Sequence, residues 1–494
     1  MHATGLISQR RTVKADALVV FIPSTTKLFQ SAIKALAADV PHIQPLIDSG
    51  DFTGKKGSTV LAYAGSALKA PRLILAGLGE IDEITVETVR RAAAAATKTA
   101  AAAGVKHCAY DVAAIKDMSI GDVAFAVTEG AMLSQYRYWK YKTTANNGNG
   151  MVTSFSIIGA DRADQKAIKQ AVETASTIVE SVNIARDLAN APNNEIYPES
   201  LGKRATEIGR AAGFKTTVLD KKKIQALKMG GLLGVNKGSE RPPVFIVMEH
   251  HGGKKGEKPI VIVGKGVTFD TGGISIKPAA GMSDMKGDMH GAATTIGTMH
   301  AVAKLGLKKN VIGLVPATDN MPSGSAIVPG DILTFMNGKT AEIDNTDAEG
   351  RLILADALVY ADRYSPETVV DLATLTGAII IALGNTTTGM MGTDKATMDR
   401  LRNAASRTSE YVCELPLYEE YEELIKSDYA DIKNSGGRAA GSITAALFLK
   451  HFVSYPWVHL DIAGTALQPK PGPYVPKDGS GVGVRLLTDM IKNW

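Results

Sequence analysis

Short apolar, largely β-branched runs recur along this chain, and helical stretches separate them. Ala17–Ile22, Arg72–Leu78, Pro243–Met248, Ile260–Val263, Val311–Val315 and Val369–Leu372 are nearly continuous in their hydrophobicity. A strand with one wet face alternates apolar and polar residues, so unbroken runs predict strands covered on both faces. The stretches between them read as helices. Val86–Ala103 is alanine-rich and ends at Gly104, Asp288–Leu305 ends at Gly306, and Arg351–Tyr364 places Leu352, Ala355 and Leu358 on one side. In Asp288–Leu305 the inward face is expected to be Met289, Ala293, Ile296 and Met299. Strands alternating with helices predict an α/β fold with a largely parallel sheet.

A chain of 494 residues exceeds one ordinary domain. Residues 1–160, with further strands at Ser58–Ala62 and Thr153–Ile158, predict a smaller N-terminal α/β domain. Residues 161–190 read as a connecting helix, stopped by the turn cluster Asn190-Ala191-Pro192-Asn193-Asn194. Residues 191–494 are expected to form a larger α/β domain, whose central sheet is mixed and mostly parallel. The N-terminal part holds no catalytic constellation, because His42 and His107 stand alone. With 45 % hydrophobic and 21 % charged residues, a disordered or fibrous chain is excluded.

Lys and Arg number 55 against 50 Asp and Glu, a net +5 spread along the chain, which gives no indication of a nucleic-acid face. Cys108 and Cys413 lack CxxC spacing and are expected to be free thiols of a reducing compartment. No apolar run reaches the length of a membrane span, so a soluble cytoplasmic protein is expected.

Three segments carry chemistry. Gly264–Pro278 follows the strand Ile260–Val263; Asp284–Met289 stands at the head of a helix; Asn345–Leu352 lies between the strand-like Ala341–Ile343 and another helix. Gly264-Lys265-Gly266 lacks the third glycine of a dinucleotide loop, and Leu333 stands where a phosphate loop ending at Gly338-Lys339-Thr340 needs its leading glycine. Any one of Asp270, Asp288, Asp347 or Glu349 alone reads as a helix cap or dipole partner. Together, at junctions that follow successive strands, they could meet at one edge of the sheet. Clustered carboxylates repel unless cations sit among them, and two divalent ions sharing bridging carboxylates resolve this. Oxygen-rich donors with little histidine favour Mn²⁺ or Mg²⁺ and leave Zn²⁺ open. Lys265, Lys277 and Arg351 add nitrogen donors around developing negative charge.

The octapeptide Asn345–Leu352, the Gly264–Pro278 segment and Met285-Lys286-Gly287-Asp288-Met289 resemble the leucyl aminopeptidase family of dinuclear metallo-exopeptidases, the cytosol aminopeptidase type. The resemblance is specific over roughly 264–377, looser to about Gly464, and only architectural before residue 180. It implies that Asp270 and Glu349 bridge two metals, that Asp347 completes the first site, and that Lys265, as a neutral amine, and Asp288 complete the second. Lys277 is implied as an electrophile and Arg351 as the seat of a bicarbonate ion. Met285, Thr374 and Gly377 match positions lining an apolar pocket for the first side chain, while Leu467 stands where many members carry tryptophan. The implied activity is hydrolysis of the first residue, Leu or another apolar one, from short peptides. Two divalent ions per subunit, Mn²⁺ ahead of Zn²⁺ or Mg²⁺, and a homohexamer without membrane association are implied too. The alternatives are a narrower dipeptidase such as a Cys-Gly hydrolase, a nucleic-acid-binding regulator retaining the fold, and a two-metal phosphoesterase. All the family's ligand positions are intact here, which weighs against a regulator that has lost activity.

Overall fold

The computed structural model describes residues 1–494 except 8–9, 25, 67, 113–114, 116–117, 145–149 and 160–163. It divides into two compact units, residues 1–180 with 470–476, and residues 181–469 with 477–494. The division falls inside the long helix Asp164–Asn190. Residues 161–163 of the expected connector lie outside the described residues.

The first unit is built on strands β1 (His2–Ile7), β2 (Ala17–Pro23), β3 (Thr59–Tyr63), β4 (Arg72–Gly79), β5 (His107–Asp111) and β6 (Ser154–Gly159). Their order is β1-β6-β5-β2-β4-β3, and only the β3–β4 pair is antiparallel. In β2, Val19 and Phe21 belong to one buried cluster while Leu18, Val20 and Ile22 belong to another on the opposite face. The two-residue period of a strand divides the unbroken run between two cores, which is why the run carries no polar alternation.

The second unit holds β7 (Lys215–Leu219), β8 (Val244–His251), β9 (Ile260–Gly264), β10 (Gly266–Asp270) and β11 (Asn310–Asn320). Three short strands follow or interleave: β12 (Ile332–Thr334), β13 (Thr340–Glu342) and β17 (Ile432–Lys433). The sheet is completed by β14 (Thr368–Ala373), β15 (Thr387–Gly392), β16 (Tyr411–Glu414) and β18 (Trp457–Asp461). The main sheet runs β16-β15-β18-β14-β9-β11-β8-β7, with β10 also on β11. It is mixed and mostly parallel, antiparallel only at β15–β18, β8–β11 and β7–β8. The long β11 pairs β9 through Val311–Leu314 and then β10 through residues 317–320. Residues 266–270, which follow the expected strand Ile260–Val263, are therefore a strand of their own. Gly264-Lys265-Gly266 is the offset between two short strands that share one long partner.

One correction concerns the expected one-sided helix Asp288–Leu305. The helix is His290–Lys304, and every residue from His290 to Val302 is buried. It lies on β9 and β11 and is covered by the helices Pro198–Ala212 and Val484–Lys492, so no wet face remains over those turns. Asp288 stands just before it, at the end of the 3₁₀ turn Met282–Gly287.

Candidate metal centre

Asp270 ends β10. Its Oδ1 accepts from Gly272 N at 2.9 Å and from Asn320 Nδ2, at the end of β11, at 2.8 Å. The chain then turns through Gly272 and Gly273, at φ +87° and +67°, a left-handed region that residues with side chains avoid. That turn brings Lys277 back so that its Nζ lies 2.8 Å from Asp270 Oδ2 and also pairs with Asp347 Oδ1. Thr346 binds the two loops together: its Oγ1 donates to Gly272 O at 2.7 Å and accepts from Ser275 N at 2.8 Å. Asn434, fully buried just after β17, clamps the Asp347 loop, donating through Nδ2 to Asn345 O at 2.7 Å and accepting through Oδ1 from Asp344 N at 2.8 Å.

Asp270, Asp347 and Glu349 each offer an oxygen within 4.8 Å of the others. Lys265 links this group to Asp288, with Nζ 2.8 Å from both Asp288 Oδ2 and Glu349 Oε1. Thr374, just after β14, fixes Asp288 by donating to its Oδ1 at 2.7 Å, and its carbonyl accepts from Lys265 Nζ at 3.0 Å. Glu349 immediately precedes the helix Gly350–Ala361. A Cβ on Gly350 would come within 2.6 Å of Lys265 Cε, so a side chain there would push the end of the lysine aside.

The electrostatics are those of a crowded cage. Burial raises the pKa values of Glu349 and Asp288, with Asp270 adding repulsion to both. Asp347 is raised for the same two reasons. Burial pulls Lys265 and Lys277 down, but the carboxylates outweigh it and hold both ammonium groups well above the usual lysine range. A neutral Lys265 therefore requires a dication in place of that ammonium charge. Asp288 Oδ2, Asp347 Oδ1 and Glu349 Oε1 are buried and accept no hydrogen bond of acceptable geometry, although lysine nitrogens lie at ion-pair distance. Directional acceptors left open around positive charge fit divalent ions with oxygen ligands.

Arg351 is buried; its Nη1 donates to Asn434 O at 2.7 Å and its Nε has no partner. Burial pulls its guanidinium down to about 10, against Glu349 and Asp461, which favour the charge. Except for Glu349, every residue nominated from sequence lines one cavity of about 920 Å³, including Met285, Thr374 and Gly377. Sequence reasoning passed over Asn320 and Asn434, which hold the acidic loops. It gave no role to Asp461 on β18, whose Oδ2 accepts from Thr376 Oγ1 at 2.6 Å. Asn320 and Asn434 act on partners far along the chain, so no local pattern points to them.

Residues 183–488 match the catalytic domain of the cytosol aminopeptidase family, and residues 19–145 match that family's N-terminal domain. The chain belongs to the cytosol aminopeptidase family. A probable cytosol aminopeptidase of Chlorobaculum parvum is 44 % identical over all of both chains. One from Alkaliphilus oremlandii is 42 % identical over 98 % of each. Among solved structures, the bottromycin maturation enzyme BotP in complex with Mn superposes with a TM-score of 0.86 at 32 % identity, covering 97 % of this chain and 99 % of that one. A mutant of tomato leucine aminopeptidase gives 0.88 at 29 % identity, covering 100 % and 97 %. Family membership makes the chain a metal-dependent aminopeptidase, with the two-domain α/β fold described above.

Proposed function

We propose that this aminopeptidase removes the first residue of short peptides, preferring leucine or another apolar residue, and works with two divalent ions. The observation that carries this reading is the convergence of Asp270, Asp347 and Glu349, together with the buried Asp347 Oδ1, Glu349 Oε1 and Asp288 Oδ2, which no hydrogen bond satisfies. Asp270 and Glu349 would bridge the ions, Asp347 would complete one site, and Lys265 with Asp288 the other. When bound, the ions supply an acidified water, a Lewis acid for the scissile carbonyl and an anchor for the free α-amine. Mn²⁺ is the first choice, on the oxygen-rich donor set and the Mn present in BotP, with Zn²⁺ or Mg²⁺ as alternatives.

The protein groups do the rest. Lys277, whose Nζ lies at the Asp270 and Asp347 oxygens, would donate to the carbonyl oxygen as it becomes negative. Arg351, with an unpartnered Nε, would seat bicarbonate as the proton carrier between water and leaving amine. Thr374 holds Asp288 while Met285 and Gly377 shape the wall for the first side chain. A cytoplasmic location accords with relatives named for the cytosol, and among the described residues no helix is long and apolar enough to cross a membrane. A homohexamer follows from the family resemblance.

Hydrolysis of leucine anilide tests the reading. Activity should vanish with chelator, return with Mn²⁺ and be absent on N-acetyl-leucine anilide; equal rates on the acetylated substrate would remove the amine anchor.

A further inference from the structure

Four cationic side chains line the cavity: Lys265, Lys277, Arg351 and Arg438. The lysines are paired with the carboxylates, and Arg351 donates to Asn434 O. Arg438 is exposed and has no hydrogen bond, ion pair or ring contact among the described residues. Asp284, which lines the same cavity outside the carboxylate group, makes no ion pair with it.

The backbone around Arg438 is fixed at both ends. Asn434, four positions before, is fully buried and hydrogen-bonded to the Asp347 loop. Ser442, four positions after, is buried with its Oγ 2.7 Å from Thr376 Oγ1, which in turn donates to Asp461. The intervening turn uses left-handed backbone at Gly437 and Ala440. Four residues span at most about 14 Å, so Arg438 stands within that contour of Asn434, the residue that receives Arg351. The two residues that follow a scissile bond in a tripeptide span about 7 Å of extended chain. A guanidinium left unpaired on an anchored turn, in the cavity that holds the carboxylate cage, has the reach and the forked donor geometry for a carboxylate.

On the aminopeptidase reading, we propose that Arg438 binds the C-terminal carboxylate of di- and tripeptide substrates, so that the enzyme selects short peptides by their free chain end. Arg438 is a specificity residue for the leaving side of the substrate. Being exposed, its pair with a carboxylate is screened by water and contributes modestly, on the order of a three- to tenfold preference.

The test compares kcat and KM for Leu-Gly-Gly and its C-terminal amide in the Mn-loaded wild type, R438Q and R438K. The wild type should prefer the acid about three- to tenfold through KM. R438Q should erase that preference with kcat for the acid retained, and R438K should keep part of it. An acid-to-amide ratio near one in the wild type, or one unaltered in R438Q, overturns the proposal. So does a loss confined to Leu-Glu-Gly-amide, which would move the recognised carboxylate from chain end to side chain. Leucine anilide, which carries no carboxylate, reports separately on the metal centre: if the wild type leaves it intact, the aminopeptidase reading fails first.

Discussion

Asp347 carries the most exposed side chain of the acidic group, at 33 %, while Asp270, Asp288 and Glu349 are buried. It is raised by burial and by Asp270, so removing its charge relieves repulsion in the protein without metal. Asp347→Ala should therefore lower turnover of leucine anilide by about a thousandfold, in the range of losing a principal electrostatic group. The melting temperature in chelator should stay at the wild-type value or rise; turnover within tenfold of wild type would take Asp347 out of the centre. Lys277 behaves in the opposite way. It neutralises Asp270 and Asp347 when no cation does, so Lys277→Met should lower the melting temperature in chelator but much less with Mn²⁺ present. Its kcat should fall about a hundredfold if the ammonium stabilises the oxyanion. An equal thermal loss with and without Mn²⁺ would make Lys277 a structural ion pair only.

At the scale of elements, the runs that became β2, β4, β9 and β14 were legible because continuous hydrophobicity is what a strand buried on both faces requires. β10 was not, because Gly266-Val267-Thr268-Phe269-Asp270 gains its strand character from the far half of β11. The all-round burial of His290–Val302 was hidden by its polar residues, whose partners are local or remote: Thr295 Oγ1 donates to Gly291 O at 2.9 Å, Thr294 Oγ1 to Val482 O at 2.7 Å. The four clustered carboxylates were legible because each stands in a short motif; the asparagines that hold them belong to none. Asp356 is a further case. It interrupts the apolar helix Gly350–Ala361 and is fully buried, accepting from Leu232 N at 3.0 Å and Met336 N at 2.9 Å. Burial pushes its carboxyl up to about 7 against those donors. The folded carboxyl thus keeps its proton to higher pH than the unfolded one, near 3.9. The folded state binds the extra proton between about pH 4 and 7, and stability from this site falls as pH rises through that window. Urea unfolding in chelator, wild type against Asp356→Asn, should show the variant gaining on the wild type from pH 5 to pH 8, by up to a few kcal/mol. A difference that is flat with pH would mean Asp356 is ionised in both states.

For the whole molecule, the net +5 gives no hint of an acidic centre, since the charge balance averages over a surface that the cage does not share. What matters is where the clustered carboxylates lie. Among the described residues one group of carboxylates with metal-binding spacing is present, and it belongs to the unit of residues 181–469 and 477–494. Ions that bind only the folded form stabilise it by mass action, about 2.7 kcal/mol for each site at a hundredfold excess over Kd. For a unit of this size that corresponds to a rise of roughly 5 °C per ion. Scanning calorimetry with and without Mn²⁺ should therefore move the transition of the catalytic unit by about 5–10 °C and leave that of the N-terminal unit where it was. In Asp347→Ala the shift should shrink toward the contribution of one ion, because on the proposed ligand set the second site would keep Lys265 and Asp288. A Mn²⁺-induced shift of the same size in wild type and variant would place the stabilising ions elsewhere. No shift in either would contradict a centre that holds metal at all.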